Sequence, residues 1–172
     1  MSADRLQRPA VFLPPLIFMN QIELTALSLP GVEVHDSGVH GLGAFASQDL
    51  PVDTKLGQYA GRRYSAEQAE AVDWDSSLTY LFGLSDGTLI DGADGGNATR
   101  HLNHACDPNC EAVEVRKRGR RIVLEVHTIK PVRAGEELFI DYALTVDESE
   151  PRNGYPCYCK SATCRGTLLG PI

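Results

Sequence analysis

The stretch that decides the fold of this chain is Arg100-His-Leu-Asn-His-Ala-Cys-Asp-Pro-Asn-Cys110, preceded by GADGGNAT (Gly92 to Thr99) and answered downstream by EELFIDY (Glu136 to Tyr142). Around one proline it gathers an arginine, two asparagines, two histidines and two cysteines, which is more chemistry than an ordinary surface loop carries. Asn103, His104 and Asn109 are short polar side chains that can hold a ligand or cap neighbouring backbone groups, and Cys106 can ligate a metal. The plainer reading is a polar turn around Asp107 and Pro108, with His101 and His104 solvated or satisfied.

The cysteines point the same way. The chain has 5, none before Cys106, and three of them fall in the CxCxxxxC pattern of Cys157, Cys159 and Cys164. An odd number so unevenly placed is not a secreted disulfide framework. Three thiols this close suit a four-coordinate structural zinc, with Cys106 or Cys110 as the candidate fourth ligand. Either one would tie the tail to the central stretch.

At 172 residues, 42% hydrophobic and 23% charged, the chain suits one globular domain with a proper core. The net charge of -7 disfavours a large nucleic-acid footprint, so no direct nucleic-acid binding is expected, and it matches a basic protein or peptide partner better. The apolar run from Ala10 to Met19 is interrupted by Pro14 and Pro15 and is too short to span a bilayer, so no membrane partner is expected. With no clear signal peptide, the expected placement is intracellular, cytoplasm or nucleus, with secretion not excluded. The sequence says nothing of oligomeric state.

Residues 1 to 30 read as an N-terminal arm, 31 to 146 as the main domain and 147 to 172 as a metal-binding tail. Val32 and Val34 alternate with polar neighbours, predicting a strand, and the glycines at 38, 41 and 43 make a loop before a second strand. Thr54 to Tyr64 reads as one strand ended by Gly61. Ser65 with Gln68 predicts a capped helix over SAEQAEAVDW, and Ser77 to Leu84 returns to strand. A turn at Asp86 and Gly87 feeds a strand ending at Asp91. Two alternating runs around Arg118 to Arg120 predict a hairpin with a basic, solvated tip, and Leu138 to Tyr142 a last strand. The expected class is mainly β, with few short helices.

Taken together, GVHGLGAF, YLFGL, IDGADGGNATRHLNHACDPNC, IKPVRAGEELFIDY and CYCKSATCRG resemble, in order, the motifs of SET domain protein lysine methyltransferases with a post-SET zinc motif. The resemblance covers roughly Val32 to Gly170. It implies a SET-type fold of small β-sheets with a knot-like crossing of the NHxC and ELxxDY segments. It further implies S-adenosylmethionine as methyl donor and a basic protein, plausibly a histone tail, presenting its lysine through a narrow channel.

Carried over residue by residue, the resemblance makes Tyr142 and Tyr80 the catalytic candidates. The cofactor-binding set becomes Gly41, Leu42, Gly43, Tyr80, Arg100, His101, Asn103, His104 and Tyr142. Cys106, Cys157, Cys159 and Cys164 become the zinc ligands, leaving Cys110 structural. Leu42 and His101 stand where the family usually has an aromatic, Ala105 where it has Ser, and Ile140 where an aromatic influences how many methyl groups are added. A rival reading is a catalytically silent SET module that binds cofactor or peptide without turnover; intact Tyr80, Asn103, His104 and Tyr142 argue against it.

Overall fold

The computed structural model describes residues 29–72, 80–146 and 151–171. Its spine is a seven-residue strand, IVLEVHT, whose even-numbered residues Ile122, Leu124, Val126 and Thr128 are all buried. That strand has β-branched or aliphatic side chains on its core face and lies between two antiparallel partners. This gives a three-stranded sheet of β3 (Lys55–Gln58), β9 (Ile122–Thr128) and β8 (Cys110–Arg116), in that order.

The other described strands form three more small sheets. β1 (Val32–Asp36) pairs antiparallel with β2 (Leu42–Ala46). β4 (Arg62–Tyr64), β6 (Leu89–Asp91) and β5 (Leu81–Gly83) form a second three-stranded sheet with β6 in the middle. β7 (Asn103–His104) and β10 (Phe139–Ile140) pair in parallel, Phe139 opposite Asn103 and Ile140 opposite His104. One core cluster, including Val32, Ala44, Leu56, Val126, Leu138 and Ile140, binds the first two sheets named to the β7–β10 pair, with the partly buried Phe82 of β5 packed against it; a second, of Tyr59, Leu84, Ile90, Ile122 and Leu124, joins the two three-stranded sheets. Full burial of each large aliphatic side chain contributes about 1.5–3 kcal/mol. This mainly β architecture is the expected one.

The boundaries differ in instructive ways. Thr54 to Tyr64, expected as one strand, is two, because the chain leaves one sheet and enters another at Gly61. A Cβ on Gly61 would stand 2.2 Å from the Asp91 carbonyl oxygen, so only glycine allows β4 to be laid against β6. The capping box forms as expected, with Ser65 Oγ accepting from the Gln68 amide at 3.3 Å and Gln68 Oε1 from the Ser65 amide at 3.0 Å. The helix it opens, α1 (Ala66–Glu70), buries no residue and ends after about one turn. The last strand shrinks from Leu138–Tyr142 to the two residues of β10. Apart from Leu29 and Pro30, the expected arm lies outside the described residues, as do Asp73 to Thr79 of the expected helix and strand. Among the described residues no helix is long and apolar enough to cross a membrane.

Candidate active site and cysteine cluster

The site grows from the β7–β10 pair. Two residues a side cannot hold two remote segments together, and Asn109 supplies the rest. Its Nδ2 donates to the Glu137 carbonyl at 2.8 Å and its Oδ1 accepts from the Phe139 amide at 2.8 Å, so one side chain imitates a strand edge for β10. The Ala105 amide adds a bond to the Ile140 carbonyl at 3.1 Å. The NHxC and ELxxDY segments therefore run side by side, which is the expected crossing.

On one side of the crossing lies the glycine loop. Asn103 Nδ2 reaches the carbonyl oxygens of Leu42 (3.1 Å) and His40 (3.3 Å) and Glu137 Oε1 (2.8 Å). Glu137 Oε1 also accepts from Ser37 Oγ at 2.7 Å. A Cβ on Gly43 would stand 2.3 Å from that same oxygen, so the glycine is what admits the carboxylate. Gly41, at φ +48°, borders open space, with nothing within 4 Å of where its Cβ would be. A carboxylate and two backbone carbonyls thus converge beside open space, an acceptor set suited to an ammonium group.

Three tyrosines also gather at the crossing. Tyr142 Oη donates to the Leu102 carbonyl at 2.9 Å, and Tyr59 Oη to the Tyr80 carbonyl at 2.7 Å. Burial, reinforced by Tyr80 and Glu137, pushes the Tyr142 hydroxyl up to about 12. Burial raises Tyr59 as well, with Tyr142, Asp91 and Tyr80 adding to it. Both phenols keep their protons at neutral pH and spend them on backbone carbonyls, so the lone pairs left over are acceptors. Tyr59 and Glu137 were not among the expected site residues. Their signals were QYAG before the Gly61 break and the second Glu of GEEL, each ordinary on its own.

Arg100 and His101 act on Tyr80. The Arg100 guanidinium carbon lies 5.4 Å from the Tyr80 ring centroid, its Nη1 donates to the Gly92 carbonyl at 3.2 Å, and its Nε to His101 Nε2 at 3.1 Å. The His101 ring meets Tyr80 edge-on at 6.0 Å. Burial, with Arg100 adding to it, lowers His101 to about 4, so the imidazole is neutral, as its acceptor role requires. The structure thus brings the expected site residues Gly41, Leu42, Gly43, Asn103 and Tyr142 around the crossing, while Arg100 and His101 form the wall that supports Tyr80.

His104 links the crossing to the cysteines. Its Nδ1 accepts from the Tyr142 amide at 3.1 Å, a bond that a backbone N–H can only donate, so Nε2 carries the proton. That proton faces Cys106 Sγ at 3.3 Å. Asp141 Oδ1 lies 3.5 Å from Nδ1, but burial holds the ring below its ordinary value and Nδ1 is an acceptor, so this is not an ion pair. The Sγ atoms of Cys106, Cys157, Cys159 and Cys164 all lie within 4.8 Å of one another, with Cys106 at 3.7 Å from Cys157 and 4.0 Å from Cys164. A thiolate tetrahedron around zinc has edges of about 3.8 Å, since Zn–S bonds are about 2.3 Å. Backbone N–H groups of Arg165 and Gly166 point at Cys106 and Cys164 at 3.3 Å, as they do toward thiolates. The donor set fits zinc. Cys110 is fully buried in the core, its thiol pushed up to about 12 by burial, and takes no part.

A model of the SET domain matches residues 41–143. The chain belongs to the SET domain family. A histone-lysine N-methyltransferase of Saccharomyces cerevisiae named as H3 lysine-4 specific is 31% identical over 137 residues, 77% of this chain and 12% of the relative. Histone-lysine N-methyltransferase set1 of Dictyostelium discoideum is 30% identical over 137 residues, 79% of this chain and 9% of that protein. The chain therefore spans about a tenth of the length of these curated relatives. Among solved structures, ctPRC2 in an autoinhibited conformation bound to S-adenosylmethionine superposes with a TM-score of 0.59 at 29% identity, over 65% of this chain and 15% of that one. SUVH6 of Arabidopsis thaliana, at 23% identity, gives a TM-score of 0.68 over 84% of this chain and 34% of that one and shares the SET fold.

Proposed function

We propose that this SET domain is an S-adenosylmethionine-dependent protein-lysine N-methyltransferase acting on a basic protein, with a histone tail as the substrate type. The observation that carries the reading is the crossing, which holds the Asn103–Glu137 acceptor cluster and the protonated Tyr142 hydroxyl at one short strand pair. The relatives named as histone-lysine methyltransferases support it, as does the acidic net charge.

S-adenosylmethionine, when bound, supplies an electrophilic methyl group on a sulfonium. Asn103, Glu137 and the Leu42 carbonyl are the residues that would hold its ammonium end. Tyr142 and Tyr59, with their protons committed to carbonyls, accept from the lysine amine and so aim its lone pair. The lysine must be neutral to attack, and burial among apolar rings favours the neutral amine. Most of the barrier reduction then comes from alignment of the reactants, and no strong base is needed. Zinc, held by Cys106 and the three tail cysteines, has a structural role in this reading. An intracellular compartment that keeps these thiols reduced suits it.

The test is incubation of the zinc-loaded protein with methyl-labelled S-adenosylmethionine and a mixture of histones and basic peptides, with Tyr142→Phe as the control. Label in lysine that the variant abolishes is the expected result. Cofactor binding with no labelled lysine, even across a whole lysate, would favour a silent module. A folded, zinc-loaded sample that fails to bind the cofactor would overturn the proposal.

A further inference from the structure

The chain is acidic overall, with 16 basic against 23 acidic residues, yet its basic residues are not evenly spread. RKRGRR, Arg116 to Arg121, places five of them in six consecutive positions at the β8–β9 turn. The turn is tight: the Lys117 amide donates to the Arg121 carbonyl at 2.8 Å, and Gly119 sits at φ +79° to reverse the chain. Two more cations come from β4. Arg63 Nη2 donates to the Ile122 carbonyl at 3.0 Å, directly below the turn.

Some of this charge is already spent. Lys117 is paired with Glu125 at 2.7 Å and Arg62 with Asp94 at 3.4 Å. Among the described residues no carboxylate lies within ion-pair distance of Arg63, Arg116, Arg118 or Arg121. Arg63 and Arg121 also line a cleft of about 260 Å³ between the two three-stranded sheets, with Gln58, Gly61 and Gly95 at its walls. Such a space, lined by two arginines and two glycines, has room for a phosphate-sized anion.

We propose that the β8–β9 turn and this cleft are a docking surface for the phosphate backbone of duplex DNA. Guanidinium forks match phosphate oxygens two at a time, and three turn arginines without a carboxylate partner, with Arg63 beside them, meet a polymer whose charges recur every ~1.7 Å of axis. RKRGRR contains no apolar residue to anchor an acidic peptide and no aromatic on which an unpaired base would stack, and Tyr59, Ile90 and Val123, which line the cleft, are buried. The footprint is small because the rest of the chain is acidic. Binding is therefore weak, independent of sequence and salt-labile. The surface does not depend on the proposed methyl transfer.

The test is fluorescence anisotropy of the zinc-loaded full chain with a labelled random-sequence DNA duplex of about two helical turns. The expected logarithmic salt slope is about -3 to -4, from three to four phosphates neutralised. Arg118→Glu with Arg121→Glu should weaken binding at least roughly tenfold, with near-ultraviolet dichroism and zinc content unchanged. Arg133→Glu, which lies beyond the far end of β9, should change it by less than about threefold. Four results would overturn the proposal: no binding at about 50 mM salt; an equal loss in Arg133→Glu; single strands bound as tightly as duplex; or a poly-glutamate peptide that outcompetes duplex.

Discussion

At the scale of single residues the site is fixed by what cannot be larger or charged. Gly43 leaves room for Glu137 Oε1, and an added Cβ would stand 2.3 Å from it. Gly43→Ala should displace the carboxylate from Asn103 and Ser37 and weaken S-adenosylmethionine binding, read by calorimetry, at least roughly tenfold, since charge-assisted bonds are worth about 1.5–3 kcal/mol. Gly41→Ala meets open space and should cost only the left-handed backbone strain of about 1–2 kcal/mol. Equal losses in the two variants would count against this account. His101 makes a pH prediction. Its folded value, about 4, lies below the ordinary 6.5, so the unfolded chain binds the extra proton first. The stabilisation it gives is complete above pH 6.5 and is lost as pH falls toward 4. His101→Phe should therefore flatten the fall in melting temperature across that window, and an unchanged slope would refute the assignment.

At the scale of elements, β7 and β10 depend on Asn109 more than on each other. Asn109→Leu leaves the Glu137 carbonyl and the Phe139 amide without their partners, each costing about 1–3 kcal/mol, and should lower the denaturation midpoint accordingly. A shift of under about 0.5 kcal/mol would mean that the β-pair holds without it. Ile140 of β10 is buried in the cluster against which Tyr142 packs. Its modest bulk predicts product beyond monomethyl-lysine, and Ile140→Phe should shift the product toward monomethyl by mass spectrometry. Only monomethyl product from the unaltered chain at exhaustive turnover would defeat that. These same elements explain what could be read in advance. β8 and β9 are seven residues each and alternate, so their hairpin was legible. β7 and β10 are two residues each, too short to carry a period, and only the order of motifs in the chain announced their meeting. Tyr59 was invisible because its role comes from a fold-level contact, the bond to the Tyr80 carbonyl, and Glu137 because its partner loop is about a hundred positions away in Ser37.

At the scale of the whole molecule the tail closes the site from behind. Arg165 grips both Asp141 oxygens at 2.7 and 2.8 Å, Leu144 bridges to the buried Leu169, and the four cysteines meet at Cys106, whose sulfur faces His104. His104 in turn receives the Tyr142 amide, so metal, crossing and tyrosine form one chain of contacts. Sequence spacing left Cys106 and Cys110 as equal candidates for the fourth ligand; geometry separates them, because Cys110 faces the core at 0% exposure while Cys106 stands among the tail thiols. The two can be told apart by zinc content. Cys110→Ala should keep zinc at one per chain and lose only packing stability, whereas Cys106→Ser should lose the metal. Chelation of the unaltered protein should then release the tail to proteolysis and weaken S-adenosylmethionine binding while the far-ultraviolet dichroism of the β-sheets persists, because the buried clusters of the sheets contain no zinc ligand. Zinc lost from Cys110→Ala but kept in Cys106→Ser would reverse the assignment, and sheets that melt together with the metal would show that the core cannot stand without its tail.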